Sequence, residues 1–118
     1  MVEDGASVDR SGRVSLVLTT APDAAIAERL VRSLVEQRLI ACGNIVPGLV
    51  SLYRWDGKIA REGEVLVLMK AGAADVDRLF ERINELHPYA VPELVELPVD
   101  GVSKAYGRWV IDSTKVSA

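Results

Sequence analysis

The spacing of apolar and polar residues divides this chain into a short series of distinct elements. Residues 1–12 are rich in Gly, Ser and Asp and show no periodicity, so they are predicted to be a flexible tail. Val14 to Leu18 are almost all apolar or small, as in a buried strand. Thr19-Thr20-Ala21-Pro22-Asp23 then reads as a helix start, with Thr20 or Asp23 as the N-cap. From Ala24 to Leu39 the helical period is clear. Ile26, Leu30 and Leu34 share one face with Ala27 and Val31, and Glu28, Arg32 and Glu36 occupy the other.

A long hairpin is predicted next. One arm runs from Ala41 to Trp55 and the other from Lys58 to Lys70, joined by Asp56-Gly57, a strong short-range hairpin signal. Pro47-Gly48 interrupts the first arm and marks a bulge or an edge. Strands usually span about 5–6 residues, so these arms are expected to project beyond a small domain. Helical spacing returns over Ala74–Leu86, with Val76, Leu79, Phe80 and Ile83 on one face. Pro92–Val99 alternates as a strand, and Val102–Asp112 reads as a short last helix carrying Tyr106 and Trp109.

The order β-α-β-β-α-β with a trailing helix predicts an α+β, ferredoxin-like fold with a long β2–β3 hairpin. Residues 13–118 are expected to form its single domain. Two helices cover one sheet face. Val65–Met69 is apolar on both faces, so the other face needs a cover, and a second subunit's sheet is the simplest one. Composition agrees: 49% of the 118 residues are hydrophobic and mean hydropathy is +0.18.

Charge narrows the partners. The net charge is −3, and no Lys/Arg stripe suggests nucleic acid. No apolar run reaches the roughly 18–20 residues of a membrane helix. A single cysteine, Cys42, and an N-terminus without an apolar signal core fit the cytoplasm.

The chemical candidates are few. His87, the only histidine, lies in LHPYAVPELVELPV beside Tyr89 and Glu93, in a stretch stiffened by Pro88, Pro92 and Pro98. It can cap the preceding helix, ligate a metal or act as an acid/base. Cys42 is either a small buried hydrophobe or a thiolate ligand. One His and one Cys cannot fill a four-ligand zinc site, but a cyclic trimer presents each side chain three times, and Glu62, Glu64, Glu93 and Glu96 could add oxygens. Tyr53 and Trp55 sit at i and i+2 near the hairpin tip, as packing against a neighbouring chain or as part of a cleft. Arg54 and Lys70 either face solvent or hold an anionic ligand in such a cleft. There is no Walker loop, GxGxxG, HExxH, CxxC or nucleophile elbow, and His87 has no visible nucleophile partner, so no enzymatic reaction is expected.

Read together, these landmarks resemble the CutA family of divalent-cation tolerance proteins. They are TTAPD at 19–23, QRLIACGNIVPG at 37–48, SLYRWDGKI at 51–59, EVLVLMK at 64–70, and HPYAVPELVELPV at 87–99 with Tyr106 and Trp109 behind. The resemblance implies a tight homotrimer whose hairpins wrap neighbouring subunits, a likeness to PII signalling proteins, and binding of divalent cations such as copper or zinc. It places the family's copper ligands, a Cys and a pair of His, at Thr19, Leu86 and His87. Only His87 matches, so a metal set of His87 with the candidate ligands Cys42 and Glu93 should bind weakly and lean toward oxygen ligands. The implied cleft between subunits draws on Trp55, Tyr53, Glu62, Lys70 and Tyr89. The alternative to a metal-tolerance protein is a PII-like sensor or adaptor with a small molecule in that cleft and an unknown protein partner.

Overall fold

The computed structural model describes residues 12–116. The tail expected over residues 1–12 lies, apart from Gly12, outside the described residues. Four strands and three helices follow in the order read from the sequence: β1 Val14–Ala21, α1 Ala24–Glu36, β2 Cys42–Trp55, β3 Lys58–Gly72, α2 Val76–Leu86, β4 Val95–Pro98 and α3 Lys104–Ser113. One antiparallel sheet holds the strands in the order β2-β3-β1-β4.

Local chemistry sets the boundaries. Asp23 caps α1, its Oδ1 accepting the Ile26 amide at 2.8 Å. The helix stops at Glu36, three residues short of the expected Leu39. Arg38 takes a left-handed φ of 60°, and the Leu39 and Arg38 amides donate back to Leu34 and Val35 at 3.0 Å. This double bond closes the helix in a Schellman motif without the usual glycine. A single 3-10 turn, Ala73–Asp75, leads into α2 where the sequence predicted regular helix. Strand β4 pairs only over Val95–Pro98, shorter than the expected Pro92–Val99; Pro92 has no amide hydrogen to give a ladder. The Ser103 hydroxyl accepts the Tyr106 amide and starts α3.

The hairpin turns at Asp56-Gly57, with φ of 54° and 76°, the left-handed pair a two-residue turn needs. The register slips between Val46 and Leu49, so Pro47-Gly48 is a bulge. Beyond it β2 and β3 leave β1 behind, since β1 ends at Ala21 opposite Val65. The hairpin therefore projects, giving principal extents of 45 × 34 × 25 Å.

The sheet has two unequal faces. Val17, Val67 and Met69 lie fully buried under Leu34 of α1 and Leu79 and Ile83 of α2. On the opposite face Leu16, Leu18, Leu66 and Leu68 are only half-buried, and Val46, Val95 and Leu97 are exposed. Helix α3 covers just one end, where Val110 packs with Val14 and Ala41. Among the described residues no helix is long and apolar enough to cross a membrane.

Candidate functional site

A connected polar unit sits where the hairpin leaves the body. His87 ends α2, its amide donating to Ile83 at 2.8 Å while an extended backbone turns the chain away. Its ring is buried. The Tyr89 amide donates to Nδ1 at 3.1 Å, so Nδ1 is the acceptor and Nε2 carries the proton. Nε2 then donates to the Thr20 carbonyl at 2.7 Å. The ring also lies against Tyr89, with centroids 4.7 Å apart. His87 thus fastens the 87–94 loop to the end of β1. Its side chain does not cap the α2 carbonyls.

Tyr89 carries the link onward. Its hydroxyl donates to Glu64 Oε2 at 2.7 Å, at the root of the hairpin. Burial pushes the Glu64 carboxyl up, but hydrogen bonds from Ser51, Tyr89 and Thr20, aided by His87 when charged, hold it below its ordinary 4.5. Burial, donation to Glu64 and the nearby charges of Glu64 and Glu62 push the Tyr89 phenol well above its ordinary 10. The phenol therefore stays a donor at neutral pH, and the carboxylate stays an acceptor. The unit is a fixed clamp, and Tyr89 is not poised as a nucleophile or base.

The other candidates are scattered. Cys42 pairs with Lys70 at the far end of the sheet, while Thr20, which receives His87, pairs with Leu66. Four residues of strand separate these levels, roughly 13 Å at 3.3 Å per residue. Cys42 is half-buried with Sγ 3.4 Å from the Tyr106 hydroxyl, and that bond, with burial and the negative charge of the sulfur in its thiolate form, pushes the Tyr106 phenol up to about 12. Glu93 is exposed on the 87–94 loop. The metal set of His87, Cys42 and Glu93 is accordingly not gathered within one chain, and both His87 ring nitrogens are already engaged. Among the described residues no group of three or more His, Cys, Asp or Glu is placed to hold a metal ion. At the other implied ligand positions, Thr19 is buried and Leu86 is an apolar side chain at the end of α2.

The cleft residues divide as well. Tyr53 and Glu62 lie close enough to Tyr89 to act on its phenol. Trp55 sits at the tip opposite Lys58 and is 70% exposed. Lys70 bonds Asn44 and lies six residues along β3 from Glu64, roughly 20 Å away. Sequence reasoning did not single out Ser51 as a partner in the clamp. Its signal was a small hydroxyl in the otherwise apolar and aromatic alternation Leu49-Ser51-Tyr53-Trp55, on the face that carries Glu64.

Comparison with known proteins bears on this arrangement. A family model described as the CutA1 divalent ion tolerance protein matches residues 15–113. The divalent-cation tolerance protein CutA of Thermus thermophilus is 43% identical over 99 residues, 84% of this chain and 96% of the relative. Its solved structure superposes with a TM-score of 0.84, covering 86% of this chain and 99% of that one. CutA1 of Pyrococcus horikoshii is 40% identical with a TM-score of 0.83, at the same coverage. A CutA of Archaeoglobus fulgidus, described as periplasmic, is 26% identical with a TM-score of 0.84. The match spans every strand and helix of the fold, and the chain belongs to the CutA1 divalent ion tolerance family.

Proposed function

We propose that this chain is a homotrimeric divalent-cation tolerance protein that holds cations loosely through oxygen ligands. Family membership over residues 15–113 supports the cation role. One structural observation supports the assembly: among the described residues, the sheet face bearing Leu16, Leu18, Leu66, Leu68, Val95 and Leu97 is covered by a helix only at one end. An apolar face of this extent on one chain favours burial against another. A closed ring also removes the open edges of a projecting hairpin.

The residues present do not fit a soft, high-affinity copper site. The imidazole is committed to Thr20 and Tyr89, and the thiol is at the other end of the sheet. Exposed carboxylates such as Glu62 and Glu93 suit weak binding of harder cations. Sedimentation equilibrium should give three times the 12.8 kDa chain mass at micromolar concentration. A mass of one chain would overturn the trimer. Calorimetry with Cu²⁺ and Zn²⁺ should give dissociation constants above the micromolar range, and tight binding that His87→Ala abolishes would restore the imidazole as a ligand.

A further inference from the structure

The end of the sheet away from the hairpin tip holds a separate concentration of charge. Where Val14 pairs with Gly72, the start of α2 and the end of α3 enclose a cavity of about 240 Å³. Arg13, Arg78 and Lys115 line it, three cations against one carboxylate, Asp75, on a chain whose net charge is −3. Like charges gathered at one cavity repel, so the arrangement favours an anion between them. The Arg13 side chain forms no hydrogen bond or ion pair with a described residue. Arg78 has only a loose pair to Asp75, Nη1 to Oδ1 at 3.6 Å, too long for a hydrogen bond. Two guanidinium forks therefore line the cavity with their donors unfilled. Asp75 stands at the N-cap of α2, yet its side chain does not cap the helix. Its Oδ2 lies over Gly72, 3.3 Å from where an added Cβ would stand. The buried Thr114 hydroxyl near the same glycine directs its hydrogen to the Val110 and Ile111 carbonyls, so it has none to offer Asp75.

We infer that this cavity binds inorganic phosphate in its monohydrogen form, Arg13 and Arg78 donating to the charged oxygens, Asp75 accepting the P–OH hydrogen and Lys115 adding positive charge. The site goes beyond the cation role proposed above. Its residues all come from one chain, so it does not depend on assembly. Planar guanidinium forks match pairs of oxygens on a tetrahedral oxyanion, and the cavity leaves room for bridging water. A carboxylate in an anion site selects which anion enters. Sulfate carries no proton at neutral pH. A phosphate monoester, whose second pKa is about 6, has lost most of its own. Asp75 repels both. Monohydrogen phosphate keeps one O–H and gives Asp75 a charge-assisted bond. Discrimination among anions of nearly equal shape then comes from a repulsive element.

Calorimetry on the full chain in low salt, at about pH 7.5 so that monoesters are fully ionised, tests this with inorganic phosphate, sulfate and glycerol 3-phosphate. Phosphate should bind saturably, once per chain. Sulfate and glycerol 3-phosphate should bind about tenfold or more weakly, because neither can donate to Asp75. Arg13→Gln and Arg78→Gln should each weaken phosphate about tenfold or more. Asp75→Asn replaces the repelling charge with an amide that can donate, and should bring sulfate to within about threefold of phosphate. Arg13 is exposed and unpaired, so Arg13→Gln should melt as wild type does and keeps the test intact if another variant fails to fold. The absence of saturable phosphate binding overturns the site, as does binding that Arg13→Gln leaves unchanged. Sulfate held as tightly as phosphate by the wild type would leave an unselective basic cluster and overturn the inference. Tighter binding of glycerol 3-phosphate than of phosphate would reassign the cavity to monoesters and overturn it too.

Discussion

The two faces of one sheet are built from alternate residues of the same strands, yet they meet different fates. Val17, Val67 and Met69 vanish under α1 and α2, while Leu16, Leu18, Leu66 and Leu68, one position away, stay half-open. Leucine is no less hydrophobic than valine, so the difference lies in what the chain supplies as cover. Two helices suffice for one face, and α3 reaches only the end of the other near Val14 and Ala41. A face this apolar and this open marks where packing by the described helices stops, and the proposed assembly would start there.

The sharpest way to break the comparison is to damage each face and ask whether protein concentration matters. Leu34→Ala cuts the covered face and should cost about 2.7–5 kcal/mol, read by urea denaturation, with the same loss at every concentration. Trp55→Ala, on the hairpin face continuous with the open side, should weaken assembly by about 2 kcal/mol or more and leave the monomer's own stability nearly unchanged. An unchanged trimer would place Trp55 in solvent or in a ligand cleft.

Smaller effects sharpen the picture at the hairpin root. His87→Ala leaves the Thr20 carbonyl and the Tyr89 amide without partners and should destabilise the fold by about 1–3 kcal/mol. Its Cu²⁺ and Zn²⁺ affinities, measured by titration, should stay within about twofold of wild type, because the ring is committed inside the fold. Tyr89→Phe removes one bond to Glu64 and should cost about 1 kcal/mol by chemical denaturation at pH 7. The sign of its pH dependence follows from the lowered Glu64 value. That contribution is full above pH 4.5 and is lost as pH falls through the folded value. Tyr89→Phe should therefore flatten the acid limb of the stability curve.

Much of the fold was legible because local chemistry dictated it. Asp23, one of the two cap candidates, caps α1, Asp56-Gly57 is an unambiguous turn, and Pro47-Gly48 does break the ladder. The end of α1 was harder, since an arginine, Arg38, takes the left-handed position where glycine usually signals a stop. The site was least legible. His87, Cys42 and Glu93 are all plausible ligand types, but whether they meet depends on which strand residues stand opposite one another. Cys42 lies level with Lys70, and Thr20, which receives His87, lies level with Leu66. No local pattern in the sequence encodes that separation. Lys70 and Tyr89, read into a cleft between subunits, lie near opposite ends of the sheet within one chain, so such a cleft would have to draw them from different copies.

The Tyr89–Glu64 bond also makes the hairpin a lever with a chemical pivot. Glu64 is six residues from Lys58 at the tip, an arm of roughly 20 Å at 3.3 Å per residue, so a rotation of about 5° at the root swings the tip by about 2 Å. One phenol and one carboxylate therefore set where Trp55 lands. A change too small to notice at the root would be large at the far end, where another molecule would feel it.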